Sequence, residues 1–413
     1  MNLKVTANSP FTIDDAQLNI TGSKSETNRL LLLQALFPTI TLNNTSNSDD
    51  SEVMQKALKG NAEIVDIHHA GTAMRFLTAY YAVHEGHEVI LTGSQRMTER
   101  PIQVLVEALQ QLGAVIAYEK EVGYPPIKIS GQKITASKVS IPANVSSQYI
   151  SALLLVAPKL ENGIEITLVG EITSVPYIKM TLALLYDLEV KTKFEGNVIT
   201  VYPKKEVVAK SMTVESDWSS ASYFFSLVAL SSKASITLKS YKQDSLQGDS
   251  ALVEIYKELG VVTHFIGDQM TLSKQSDFKL PEQISFELNN TPDIAQTIVV
   301  TCLGLGIGCH LTGLHTLKIK ETDRLEALRI ELTKLGATIS VTHDSLTLIS
   351  TKDCIPNVSI ATYNDHRMAM AFAPLAIKVP IIIENAEVVS KSYPDFWDDL
   401  RTIGLQCQDE IAL

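Results

Sequence analysis

Apolar positions along the chain alternate between two spacings. ITLNN, EVILTGS, IEITLVG, ASITLKS, CHLTGL and VPIIIENA read as short strands, and each follows an apolar run that predicts a buried helix. Polar, small-residue turns open those helices: GSKSETNR, HAGTAMR, VSSQY, SDWSSAS, NTPDIAQ and YNDHRMAM. After each strand come a second turn, a helix with a single apolar stripe, and two more strands. The stripe is clearest from Pro101 to Gly113, where Ile102, Leu105, Val106, Leu109 and Leu112 share one face between an opening proline and a closing glycine. Leu325, Leu328, Leu332 and Leu335 repeat it before Gly336, and Leu252, Ile255 and Leu259 before Gly260. The copies recur after about 70–75 residues, the first being shorter, which exceeds solenoid periods. The pattern predicts an α/β chain in which a βαβαββ unit is used six times, in two closely packed halves of three units.

Composition sharpens this picture. A chain of 413 residues is too long for one ordinary core, so two domains are expected. A hydrophobic share of 45% and a charged share of 20% fit a globular protein. The net charge of −11 argues against nucleic acid or an anionic membrane as partner, while leaving room for a locally basic cleft. The four cysteines, Cys302, Cys309, Cys354 and Cys407, form no C-x-x-C pair, which argues against zinc and a disulfide framework and fits a reducing cytoplasm. MNLKVTANSPF lacks the basic and apolar regions of a secretory signal. The longest apolar stretch, Ile298 to Leu314, is interrupted by glycines, threonines and a histidine and reads as a helix followed by a strand, not a membrane span.

The turns that open the helices carry the candidate chemistry. A helix start presents unpaired N–H groups and a partial positive charge. Ser, Thr, Asp and Asn there are normally plain caps, but several such turns meeting at one place make an anion site. Arginine marks where. The chain has 27 lysines but only eight arginines, and none lies between Arg100 and Arg324. Where lysine is the routine surface cation, an arginine fork points to bidentate recognition of carboxylate or phosphate. Arg29, Arg96, Arg324 and Arg367 stand in or just after polar turns and read as ligand-facing; Arg329 and Arg401 lie within helices and read as ion pairs. Asp293 either caps the helix it precedes or is tuned for proton transfer. Glu321 and Asp323, among Lys318, Lys320 and Arg324, leave the same choice open.

At these residues the sequence resembles a known family. GSKSETNR, AGTAMR, RMTERP, VSSQY, TSVPYI, TPDIA, KETDRL, YNDHRMAM and SKSYPDF are similar, in order and from about residue 22 to 398, to the motifs of the 5-enolpyruvylshikimate-3-phosphate synthases. The resemblance implies two similar domains, each of three βαβαββ units arranged as an inverse α/β barrel. It puts residues 21–245 in one domain and residues 1–20 and 246–413 in the other, with crossings near residue 21 and residues 243–247. It implies transfer of the enolpyruvyl group of phosphoenolpyruvate to the 5-hydroxyl of shikimate 3-phosphate, with release of phosphate, on the route to chorismate. No metal or organic cofactor is expected, and a cytoplasmic monomer is.

Carried over by motif, Lys24, Ser25 and Arg29 meet shikimate phosphate, with Lys24 also reaching phosphoenolpyruvate. Ser146, Ser147 and Ser174 hold the shikimate phosphate group, and Gln148 lies against both substrates. Gly71 and Arg96 belong to the phosphoenolpyruvate phosphate, and Thr72 is a further substrate-binding residue; Arg324, Arg367 and Lys391 clamp phosphoenolpyruvate, mostly its carboxylate. Asp293 and Lys320 reach the shikimate hydroxyls. The implied reaction is an addition followed by an elimination: the 5-hydroxyl loses a proton as it attacks C2 while C3 gains one, then phosphate and a C3 proton leave. Asp293 corresponds to the base at the hydroxyl, Glu321 to the group serving C3, and Lys24 to an aid for the leaving phosphate. Three positions depart from the common pattern: His69 and Thr316 replace Asn, and Phe76 replaces Pro. The nearest rival is a UDP-N-acetylglucosamine 1-carboxyvinyltransferase of the same architecture, which typically carries a catalytic cysteine where this chain has GSQRMTERP. A non-catalytic sugar-phosphate-binding protein would need the cations but not Asp293 and Glu321 together. A nucleotide-binding enzyme is disfavoured because GSKS lacks the full phosphate-loop pattern.

Overall fold

The structure, a computed structural model, describes residues 1–144, 146–170, 172, 175–350 and 353–410. The chain divides into two compact units, one of residues Gly22–Val214 and one of Met1–Thr21 with Glu215–Leu413. Each has its own hydrophobic core.

One topology recurs. In the first unit, Ile64–Asp66 lies parallel to Glu88–Thr92, beside which Ile127–Ser130 and then Val115–Tyr118 run antiparallel. Lys138–Pro142, Ile164–Val169, Val198–Val201 and Thr192–Glu195 repeat that order. In the second unit it recurs in Gln283–Glu287, Gly308–Thr312, Leu346–Ile349 and Thr338–Val341, and in Thr12–Leu18, Lys233–Lys239, Gln269–Lys274 and Val261–Ile266. The last repeat borrows the beginning of the chain: its sheet runs Val358–Ile360, Ile381–Ile383, Leu3–Thr6, Gln406–Asp409. Among the described residues the short first repeat contributes only the parallel pair Ile40–Asn43 and Lys210–Thr213.

The apolar runs form the helices Lys24–Leu36, Gly71–Ala82, Ser147–Val156, Trp218–Leu230, Ala295–Leu305 and His366–Phe372. Buried on nearly all sides, they are the centre of each unit: the first three pack on one another, and Ala295–Leu305 packs on both of its counterparts. The striped helices Gln103–Gln111 and Arg324–Lys334 lie beside them, ended by Gly113 and Gly336 at φ 101° and 92°. Ile298 to Leu314 is helix Ala295–Leu305 followed by strand Gly308–Thr312, as its pattern predicts.

The second crossing differs from the expected one. It falls between Val214 and Glu215, not at 243–247, so residues 215–245 belong with the C-terminal unit. Strand Lys233–Lys239 pairs with Thr12–Leu18 and Gln269–Lys274 there, and Trp218 is fully buried in that core. Both crossings fall at the same point of the repeat. Thr12–Leu18 leads to Thr21 and helix Lys24–Leu36; Lys210–Thr213 leads to Val214 and helix Trp218–Leu230.

Candidate active site

In the C-terminal unit three helix starts meet. Arg367, at the start of His366–Phe372, donates through Nη1 to the Asp293 carbonyl (3.2 Å), and through Nη2 to the Ser219 hydroxyl (3.2 Å) and Asp293 Oδ2 (3.5 Å). Ser219 opens Trp218–Leu230, and Asp293 sits on the Pro292–Ile294 turn before Ala295–Leu305. Arg324, buried at the start of Arg324–Lys334, joins the cluster from the side. Its Nε donates to Asp365 (2.6 Å), Nη1 to Asp293 Oδ1 (2.8 Å) and Nη2 to Glu321 (2.7 Å). Lys320 Nζ lies 3.5 Å from Asp293 Oδ1. Asp365 is fully buried and also caps its own helix, accepting from the Arg367 amide.

The electrostatics follow from this crowding. Burial disfavours the Asp293 carboxylate, but Lys320, Arg367 and Arg324 together overcome it and hold the carboxyl well below the usual range. Burial also works against the Arg324 charge, and Asp365, Glu321 and Asp293 reverse that effect. Lys391 donates to Asn364 twice, to its carbonyl (2.7 Å) and to its side-chain oxygen (3.0 Å).

The unit Gly22–Val214 holds the other predicted residues. Lys24 begins its helix and faces Asp50 at 3.5 Å. Arg29 is buried, and its bonds run to neutral oxygens: Thr181 Oγ1 (2.8 Å), the Ser25 carbonyl (2.7 Å) and Ser151 Oγ (3.1 Å). Phe76 and Tyr177 present their rings to it. Burial lowers its pKa to about 10, with Tyr177 and Glu26 only partly opposing. Among the described residues its hydrogen bonds run to uncharged oxygens, with Glu26 the nearby carboxylate that partly offsets its burial. Gln148 donates to the Thr72 hydroxyl at 3.1 Å, joining the starts of Ser147–Val156 and Gly71–Ala82. Ser146 caps the former. Ser174 lies outside the described residues.

Arg96 is exposed and paired with Glu99 at 3.0 Å; the arginine packed against Gly71 is Arg100, whose Nη1 lies 2.7 Å from where a Gly71 Cβ would stand. Arg75 is structural, tying the Gly71 carbonyl (3.2 Å) to that of Pro101 (2.9 Å). The expected helix ion pairs of Arg329 and Arg401 are present, with Glu326 and Asp398. His69 Nε2 lies 3.9 Å from Asp49, and the Thr316 hydroxyl is buried with no hydrogen-bond partner among the described residues. Sequence reasoning missed Ser219, Asp249 and Asp365. Their only signal was a place in polar turns: Ser219 in SDWSSAS, Asp365 in YNDHRMAM, and Asp249 in the QGDS turn before Leu252.

The sequence model of EPSP synthase (3-phosphoshikimate 1-carboxyvinyltransferase) matches residues 59–400. The chain belongs to this family. A 3-phosphoshikimate 1-carboxyvinyltransferase of Bacteroides fragilis is 44% identical over 396 residues, covering 94% of this chain and 95% of the relative. One from Haemophilus influenzae is 34% identical over 436 residues, covering 96% and 98%. An EPSP synthase structure from Acinetobacter baumannii superposes with a TM-score of 0.78 at 20% identity, covering 99% of this chain and all of that one, and shows the shared fold. The chain is thus a transferase of the shikimate pathway with 3-phosphoshikimate 1-carboxyvinyltransferase activity, and the UDP-N-acetylglucosamine alternative is not favoured. Shikimate 3-phosphate and phosphoenolpyruvate fit as its substrates. Among the described residues no helix is long and apolar enough to cross a membrane.

Proposed function

We propose that the Asp293–Arg324–Arg367 cluster is the centre of carboxylate binding and proton transfer in this reaction. The observation that carries the assignment is one buried guanidinium, Arg324, bonded at once to Asp293 and Glu321. Arg324, Arg367 and Lys391 clamp the phosphoenolpyruvate carboxylate. Asp293, kept ionised, takes the proton of the 5-hydroxyl as its oxygen attacks C2, while Glu321 delivers one proton to C3 and later recovers one. The C2–O bond to phosphate then breaks, and Lys24 steadies the departing phosphate. Lys320 and Asp293 hold the shikimate hydroxyls. Lys24, Ser25, Arg29, Ser146, Ser147 and Ser174 receive shikimate phosphate, and Gln148 lies against both substrates. Gly71, Thr72 and Arg96 serve the phosphoenolpyruvate phosphate, and the contact of Arg100 with Gly71 adds a second cation for it. The enzyme works as a cytoplasmic monomer.

A coupled phosphate-release assay with both substrates tests this. Phosphate release is expected only when both are present. Asp293→Asn and Glu321→Gln are each expected to lower kcat by about 10²–10⁴-fold, the usual worth of a positioned acid or base. Near-native turnover in both variants would overturn the assignment.

A further inference from the structure

Asp249 is a buried carboxylate that none of the roles above uses. It lies on the Gly248–Ala251 turn, and both of its oxygens accept from hydroxyls: Oδ1 from Thr291 at 2.5 Å and Oδ2 from Ser219. Those hydroxyls belong to the two segments that set the cluster. Ser219 accepts from Arg367 Nη2 at 3.2 Å, and Thr291 immediately precedes the turn bearing Asp293. A carboxylate only accepts hydrogen bonds, whereas a hydroxyl has one proton to give and lone pairs to offer. By engaging the proton of the Ser219 hydroxyl, Asp249 turns the Ser219 lone pairs toward Arg367. Burial raises the Asp249 carboxyl and Arg367 opposes that rise, so charge couples the two groups as well as geometry.

We propose that Asp249 is a positioning residue that fixes the Arg367 guanidinium, through the Ser219 hydroxyl, for the phosphoenolpyruvate carboxylate. This rests on the carboxylate clamp assigned above. In Asp249→Asn the amide NH₂ must face one of the two hydroxyls, and the orientation of Ser219 is no longer set. Steady-state kinetics on the full chain test the proposal. Asp249→Asn and Ser219→Ala are each expected to raise KM for phosphoenolpyruvate about tenfold, the worth of one hydrogen bond to a charged group, and to leave KM for shikimate 3-phosphate within about twofold. The double variant is expected to be no worse than the poorer single one, because Asp249 acts through Ser219.

An equal rise in both KM values, or losses that multiply in the double variant, would overturn the proposal. So would an unchanged KM for phosphoenolpyruvate in Ser219→Ala, which decides alone if Asp249→Asn does not fold. Wild-type protein in the same assay separates this from the functional assignment. If wild type releases no phosphate, that assignment fails by itself. The variant-to-wild-type ratio is then read from calorimetric binding of phosphoenolpyruvate, with the same outcomes decisive.

Discussion

Arg324 donates to a carboxylate of the chain from each of its three nitrogens. A substrate carboxylate that grips the fork with both oxygens must displace one of them. Asp365 is fully buried and also caps a helix, so the partners that can yield are Asp293 and Glu321, whose side chains are 14% and 30% exposed. On the roles proposed above, binding would then release the two acids for proton transfer. The sign of the pH effect follows. In the free enzyme Asp293 is held well below the usual range, so activity that needs it ionised is lost only as pH falls through that lowered value. Once a substrate shares its cations, the value rises and the loss begins at higher pH. After correction for substrate ionisation, the acid limb of kcat is expected at higher pH than that of kcat/KM; coincident limbs would count against the exchange.

Arg324 and Arg367 were legible in the sequence because lysine is the routine cation here and an arginine at a turn stands out. Asp365, Asp249 and Ser219 were not. Taken singly they are indistinguishable from helix caps, and Asp365 is one. Their second partners come from helices remote in sequence, which only packing brings near. Arg96 and Arg100 show the converse limit: Arg96 on the short Gln95–Thr98 helix and Arg100 just past it are four residues apart, yet only Arg100 rests on Gly71.

At the scale of elements, helix Arg324–Lys334 straps the turn that leads into Asp365 and Arg367, a member of the proposed clamp. Its first residue holds Asp365 and its fully buried Glu331 accepts from the Tyr363 hydroxyl (2.6 Å) and the Ala361 amide (3.1 Å). Between these anchors Tyr363 and Asn364 both adopt positive φ, 52° and 59°, a conformation that costs about 1–2 kcal/mol per non-glycine residue and persists only when its surroundings impose it. The reward is the placement of two Asn364 oxygens on Lys391. Tyr363→Phe is therefore expected to destabilise the fold by about 1–3 kcal/mol, since it leaves a buried carboxylate short of a donor. It should also raise KM for phosphoenolpyruvate several-fold with a smaller change in kcat, read by thermal unfolding and steady-state kinetics. The strap helix itself was evident from its leucine stripe. The strap was not, because Glu331 reads as one more solvent-facing acid until strand and turn cover it.

For the whole molecule, the sixfold repeat was visible in the periodicity, whereas the second crossing was misjudged by a strand and a helix. Trp218–Leu230 and Lys233–Lys239 look alike in sequence whichever core they enter. What decides is pairing: Lys233–Lys239 lies beside Thr12–Leu18, a partner more than two hundred residues away. The same distance effect makes the first residues indispensable. Leu3 and Val5 are buried on an inner strand flanked by Ile381–Ile383 and Gln406–Asp409. Removing residues 1–6 exposes that core and two strand edges, and loses about 1.5–3 kcal/mol for each buried side chain in addition to the ladder bonds. Such a truncation is expected to yield aggregated protein or to lower Tm sharply, although it touches no site residue; unchanged thermal unfolding would contradict the pairing.

That shared sheet also bears on how the chain is made. The unit Gly22–Val214 is continuous and is complete while the ribosome still holds the remainder. The other unit must keep its opening strands waiting until Gln406–Asp409 has been synthesised, because Leu3–Thr6 pairs with that segment. Birth order and folding order thus run opposite for residues 1–21, which leave the ribosome before the unit Gly22–Val214 and find their final neighbours after it.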